Sequence, residues 1–260
     1  MNPSLYLAGL AAITAFALAG WVLATARRNV AVVDSLWGMF FLVAMLAYCT
    51  PGTGARGHLV LGLVLVWAVR LSAYVTWRNW GEPEDRRYRA IRAGREPGFW
   101  WKSLYVIFGL QALLAWVISL PLHAAAVSTT SLGVLDAAGA ALFLFGFAFE
   151  TIGDAQLARF KSDPAHRGAV MDQGLWRYTR HPNYFGECCV WWGLYVVALG
   201  AGGWWSLPGP LLVTVLLLKV SGVTLLEKDI GERRPAYADY VARTPAFWPG
   251  RPRAGAAAHR

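Results

Sequence analysis

Charge is scarce in this chain. Only 15% of its 260 residues are Asp, Glu, Lys or Arg, where a soluble domain carries about 25%. Acidic residues are the rarer sign, 15 against 24 basic ones. Cysteine is rarer still: Cys49, Cys188 and Cys189 all lie in or beside apolar stretches, without CxxC or Cys/His spacing. Neither a disulfide framework nor a zinc or other metal centre is indicated. A G-x-G-x-x-G string does occur at Gly52 to Gly57, but it lies in a short connection between two apolar blocks with no strand–helix unit to carry it, so a Rossmann-type nucleotide site is not indicated.

What is abundant is apolar length. Hydrophobic residues make up 57% of the chain, which has 14 Trp. They gather in seven blocks, roughly 4–24, 30–49, 59–77, 101–122, 132–156, 183–205 and 208–226. Each approaches the ~20 residues needed to cross a hydrocarbon core of about 30 Å. The first block begins Met1-Asn2-Pro3-Ser4 with no basic lead, and its basic pair, Arg27 and Arg28, follows the apolar run. That order is wrong for a cleaved signal, so it reads as a retained helix. Of the 24 Lys and Arg, 21 fall after odd-numbered blocks, one (Arg56) on the opposite side, and Arg70 and Lys219 inside spans. The net charge of +9 therefore reads as positive-inside asymmetry rather than nucleic-acid binding. The expected fold is an all-α polytopic membrane protein of seven transmembrane helices, N-terminus periplasmic and C-terminus cytoplasmic. One membrane domain spans 1–250, and residues 251–260 form a disordered tail.

Polar complexity is confined to the cytoplasmic connections, which points to a site roofed by loops and reached by a soluble cofactor there and a lipophilic molecule from the bilayer. Ionisable groups in a span cost about 2.5–3.5 kcal/mol near the centre and usually face a bundle interior. Glu150 and Asp154 are spaced i, i+4 and share a helix face. They suit the hydroxyls of a ribose, with Arg159 and Lys161 one turn on, or they pair internally with those bases. Asn183 and Glu187 repeat the spacing behind Arg177, Arg180, His181 and Pro182. A helix start with basic neighbours makes a phosphate pocket; ordinary juxtamembrane charge is the plainer account of the arginines. Asp34 is either a capping or packing carboxylate or a proton donor. Arg70 is expected to pair with Asp34, and Lys219 with some carboxylate. Trp37, Trp67 and Trp77 belong to the interfacial belt or line a lipid cavity.

Gly174-Leu175-Trp176-Arg177-Tyr178-Thr179-Arg180-His181-Pro182-Asn183-Tyr184-Phe185-Gly186-Glu187 resembles the membrane superfamily of steroid 5-alpha-reductases and sterol reductases, closest to uncharacterised bacterial relatives carrying the steroid 5-alpha-reductase C-terminal domain. Asn79 to Tyr88 and the tail segments Leu226–Asp229, Arg234–Pro235, Tyr237, Tyr240 and Arg243–Pro245 support the likeness. The resemblance implies NADPH bound among the later helices, by Asn79, Asp154, Arg180, Asn183 and Glu187, with Tyr237 and Tyr240 closing the site. Tyr184 belongs to the same motif. It implies a lipid-substrate half at 1–122, a cofactor half at 132–250 and placement in a bacterial inner membrane. The Gln-Glu pair that holds the steroid carbonyl in characterised 5-alpha-reductases is missing from the second helix, where Asp34 is the one carboxylate.

The expected activity is therefore NADPH-dependent reduction of a carbon–carbon double bond in a steroid-like or other lipid. Asp34 and Tyr74 are the candidate catalytic residues, stabilising charge and delivering a proton. Two alternatives stand beside it. One is an S-adenosylmethionine-dependent methyltransferase resembling the isoprenylcysteine carboxyl methyltransferases, which share an Arg-His-Pro-x-Tyr motif. The other is a lipid-binding or transport protein without nucleotide.

Overall fold

In a computed structural model, residues 1–220 and 237–253 are described, and every regular element among them is helical. Helix α1, Pro3–Ala26, starts where the Asn2 side chain accepts from the Leu5 N–H at 3.3 Å and Pro3 takes the first position, as missing N–H groups favour. It is followed by α2 (Val32–Tyr48) and α3 (Ala55–Asn79). Next come the short α4 (Arg86–Ala93), capped by Asp85 accepting from the Arg87 N–H at 2.8 Å, and α5 (Phe99–Ile118). A break at Ser119 leads into α6 (Leu120–Ala126). Then follow α7 (Val134–Ser162), α8 (Pro182–Gly200), α9 (Trp204–Val220) and α10 (Tyr237–Arg243).

By length and composition α1, α3, α5 and α7 can each cross a membrane, and α2 and α9 are shorter apolar helices. These mark a multi-pass membrane protein. The expected blocks need three corrections. Block 101–122 ends at Ile118: the Ser119 hydroxyl donates to the Trp116 carbonyl, and Pro121 opens a new helix. Block 132–156 extends to Ser162, carrying Arg159 and Lys161 on the helix itself. Block 183–205 stops at Gly200. The last block and the tail segments at 226–235 reach beyond the described residues, as does most of the 251–260 tail. Arg253, assigned to that tail, donates its N–H to the Arg243 carbonyl at 2.8 Å.

The chain forms two compact units, one of residues 1–137 and 195–209 and the other of 138–194 and 210–260. The expected halves, 1–122 and 132–250, thus exchange their borders inside α7 and α8. In the first unit α1 packs on α2 and α5, α2 on α3, and α6 on α2 and α3. Their shared interior holds Ile13, Phe40, Phe41, Met45, Val64, Trp67 and Phe108, while Leu7, Val22, Val66 and Leu113 face outward. Apolar residues on both faces fit a helix whose outer solvent is hydrocarbon. Arg56 at the start of α3 is buried, with Nε on Asp136 Oδ1 at 2.7 Å and Nη2 on Asp136 Oδ2 at 2.8 Å. In the second unit α7 and α8 touch backbone to backbone: a Cβ on Gly186 would stand 2.5 Å from the Glu150 nitrogen, and one on Gly193 2.6 Å from that of Phe143. Small residues permit this approach.

Candidate functional site

In the second unit the seam between α7 and α8 ends in a turn that gathers most of the anticipated cofactor residues. Glu150 and Asp154 are buried on α7, at 2% and 4% exposure. One turn later Gln156 accepts from the Leu175 N–H at 2.9 Å, and the Gly153 carbonyl accepts from the Trp176 indole at 3.0 Å. These bonds fold the 163–181 connection back along α7. Gly174 adopts φ +58°, which favours glycine, and a Cβ there would have to displace the Gln156 amide, 2.4 Å away.

From Tyr178 onward the tail takes over. The Gly250 N–H donates to the Tyr178 carbonyl at 3.0 Å, the Thr179 hydroxyl to the Phe247 carbonyl at 2.8 Å, and the Arg180 N–H to the Pro245 carbonyl at 2.9 Å. The Arg180 guanidinium donates to the Thr244 and Val241 carbonyls at 2.6 and 3.2 Å. Tyr240 donates its hydroxyl to the Trp176 carbonyl, and Arg243 pairs with Asp172 at 2.5 Å. Burial pushes the Tyr240 hydroxyl far above its ordinary value, with the neighbouring Tyr237 adding to the effect, so it stays a donor. Arg180 and His181 are buried by this clasp.

Helix α8 then begins at Pro182. The His181 and Tyr184 rings stack at 5.6 Å. Asn183 Oδ1 is buried without a hydrogen-bond partner among the described residues, and Glu187 lies half-buried one turn further along. An unmatched buried acceptor costs about 1–3 kcal/mol and is rare enough to need a cause. Tyr237 is buried beside Tyr240, ring centres 5.5 Å apart. Arg159, Lys161 and Arg177 are exposed, so the basic groups offer themselves at the surface while the carboxylates lie inside.

Asn79, Asp34 and Tyr74 belong to the first unit. Asp34, in the first turn of α2, accepts from Arg87 at 3.0 Å and from the Tyr88 hydroxyl at 2.5 Å. Arg87 therefore fills the place in which Arg70 was expected. Glu84 accepts from the Val30 N–H at 2.9 Å and from Arg92 at 2.9 and 2.8 Å. The connection after α3 is thus stitched to the start of α2 by two carboxylates. The Tyr74 ring lies 6.1 Å from Trp77, under the Arg78 guanidinium. Asn79 accepts from Arg78 at 3.2 Å and lines a cavity of about 560 Å³ with Arg27, Asn29, Thr76, Trp80 and Arg89.

Trp67 is fully buried against Phe41 and is a core residue, Trp37 stacks edge-on to Phe41, and Trp77 is 66% exposed. Lys219 is exposed on α9. Sequence reasoning missed the anchors Glu84, Arg87, Tyr88 and Arg92, and the clasp residues Thr179, Asp172 and Arg243. The Arg86-Arg87-Tyr88 motif was the available signal for the first group. The second had only the Arg243–Pro245 segment, because Thr179 bonds to a backbone carbonyl and Arg243 to the Asp172 side chain, each more than 60 residues away.

The fold defines a multi-pass membrane protein, and the family that its sequence matches belongs to the steroid 5-alpha-reductase-like group. Residues 20–244 match the protein family of unknown function DUF1295, and the chain belongs to that family. It is also similar to the uncharacterized protein C594.04c of Schizosaccharomyces pombe, 25% identical over 262 residues covering 88% of this chain and 75% of the yeast protein. No solved structure matches.

Proposed function

We propose that the chain is an NADPH-dependent membrane reductase of a carbon–carbon double bond in a steroid-like or other lipid. In this reading it spans a bacterial inner membrane seven times, with the N-terminus periplasmic and the C-terminus cytoplasmic. The observation that carries the nucleotide assignment is Asn183 Oδ1, a buried acceptor at the start of α8 with no protein donor among the described residues. A nicotinamide carboxamide offers the N–H that this oxygen lacks, and Glu187 on the same helix face accepts a second. Buried Glu150 and Asp154 accept from ribose hydroxyls. The exposed Arg159, Lys161 and Arg177, with the α8 N-terminus, suit the phosphates. Arg180 and His181 shape the wall, and Tyr184, Tyr237 and Tyr240 close it.

When bound, NADPH supplies a hydride. The protein must then stabilise charge on the lipid and deliver a proton. Tyr74 and Asp34 are the proposed groups. Asp34 also holds the loop after α3 through Arg87 and Tyr88, so its substitution acts on both the chemistry and the loop. The cofactor role of Asn79 rests on the resemblance alone.

The test is thermal stability of the detergent-solubilised protein. NADPH raises the melting temperature, and Arg177→Ala together with Lys161→Ala reduces the rise. Stabilisation by S-adenosylmethionine and not by NADPH would replace the reductase with a methyltransferase. Stabilisation by neither would leave a lipid-binding protein.

A further inference from the structure

The first unit carries two adjoining hollows at the arginine-rich end of α1 and α3. One is the cavity of about 560 Å³ already described. The other is an open groove of about 650 Å³ on the outer face of α3, lined by Ser72, Ala73, Thr76, Trp77 and Trp80. Thr76 and Trp80 line both, so a polar hollow and an apolar one lie side by side against the same two residues. The groove walls are mostly apolar, and its two indoles are 66% and 70% exposed. Tryptophan at this level of a span marks the boundary between headgroups and hydrocarbon.

The charge of the cavity becomes clear once its internal pairs are set aside. Glu84 is bound by Arg92 and the Val30 N–H, and Asp85 by the N–H and the side chain of Arg87, a guanidinium it shares with Asp34. What then faces the space is Arg27 and Arg89 against Glu82, with Arg86 also in the wall and the amide and hydroxyl side chains of Asn29, Ser35, Thr76 and Asn79. The Arg27 guanidinium sits 5.7 Å over the Trp80 ring, poised where the cavity meets the groove.

We propose that these adjoining hollows bind an anionic amphiphile drawn from the bilayer, its phosphate or carboxylate head among Arg27, Arg89 and Asn29 and its hydrocarbon chain along Trp77 and Trp80. The site lies wholly in the first unit and does not depend on nucleotide binding in the second. A neutral lipid gains nothing from the two arginines, and a soluble anion leaves the indole groove unfilled; the two hollows together select a molecule with both features.

Native mass spectrometry of the full-length protein released from mixed micelles tests this. Phosphatidylglycerol is retained in preference to phosphatidylcholine of the same chains by about thirtyfold, as two surface arginines would give. The Arg27→Gln/Arg89→Gln double variant loses that preference, whereas Arg27→Lys/Arg89→Lys, which keeps the charges, retains it. Equal retention of both lipids by the wild type overturns the proposal. So does a preference that survives the double Gln variant, because the selectivity then lies elsewhere. Displacement of phosphatidylglycerol by millimolar glycerol 3-phosphate overturns it in favour of a soluble anion. The NADPH melting shift, measured on the same variants, remains unchanged in every case, so failure here is distinct from failure of the reductase reading.

Discussion

Both units bury charge, and they do so in opposite ways. In the first, the carboxylates and arginines that tie its loops down are consumed by their own surroundings. Arg56 donates to both oxygens of Asp136, to Ser128 at 2.6 Å, to Thr130 and to the Ser131 carbonyl at 2.9 Å. Asp34 and Glu84 are likewise filled by the loop after α3. In the second unit the same depth of burial leaves an acceptor over, at Asn183. An ionisable residue inside a span is a functional candidate by default, but depth alone does not separate anchor from site. What separates them is whether the hydrogen-bonding capacity is already spent.

The largest expected effect falls on the anchor side. Arg56→Met strands the Asp136 carboxylate in a buried place and should cost about 3–5 kcal/mol, as loss of one partner of a buried pair does. Thermal or denaturant unfolding in detergent measures it, and a loss under 1 kcal/mol would show that the network is dispensable. Next comes the seam of the second unit. At Gly186 an added methyl meets the Glu150 nitrogen at 2.5 Å and the Gly146 carbonyl at 2.6 Å. Because both are backbone, Gly186→Ala must push α7 and α8 apart, at about 1–3 kcal/mol. It should also weaken NADPH stabilisation, since Asn183 and Glu187 ride on the displaced helix. Gly62→Ala, where a Cβ has nothing within 4 Å, is the neutral control.

The helices were legible from the sequence where apolar length alone decides, and illegible where a proline ends one or a polar group extends one. Block 101–122 read through Ser119 because Leu120-Pro121-Leu122-His123 has little charge to interrupt it; Pro121, with no N–H for the Val117 carbonyl, ends the helix without a hydropathy signature. Block 132–156 stopped early because Arg159 and Lys161 looked like loop, although long polar side chains extend a helix past the membrane at little cost. Arg56 stood in the charge count as the one exception on the far side. Its partner Asp136 is 80 residues away, and nothing local announces the pair. In the site, the i, i+4 spacing made Glu150/Asp154 and Asn183/Glu187 legible at once. Asp34 stood out as a carboxylate but not by its partners, because Arg87 and Tyr88 reach it through a turn that only folding creates.

The comparison is sharpened by substituting one residue from each unit. Glu187→Ala removes a candidate carboxylate from α8 and should weaken NADPH binding by about 1.5–3 kcal/mol, the range for a hydrogen bond to a charged group. Asp34→Asn keeps the size but weakens the tie to Arg87. It should leave NADPH affinity nearly unchanged, lower the melting temperature slightly and depress turnover of the lipid. Calorimetric titration of NADPH into both variants decides. Equal losses would place Asp34 in the cofactor site and erase the division between anchoring and binding carboxylates.

The smallest effect is a pH dependence of the loop after α3. Burial would raise the Glu84 carboxyl, but the Arg92 guanidinium and the Val30 N–H, aided by nearby Arg89, outweigh it and hold the group below the ordinary carboxylate value. Asp85 is lowered in the same way: burial is overcome by the N–H and side chain of Arg87. A carboxyl whose folded value is depressed stabilises fully above its unfolded value, about 4.3 for glutamate, and loses that contribution as pH falls through the folded value. The Glu84 and Asp85 bonds should therefore hold from neutral pH down to about 4 and loosen only below it. Hydrogen exchange of the amides of residues 84–93, corrected for the intrinsic rate at each pH, reports the loosening. Arg92→Gln removes the main lowering partner, leaving burial to dominate, so its loosening should begin at a higher pH than in the wild type. Protection that persists unchanged to pH 3 in both proteins would mean that the loop is held by packing of Tyr88 and Phe99 instead. The first unit's carboxylates would then be incidental to its fold, and the contrast with the second unit would rest on Arg56 and Asp136 alone.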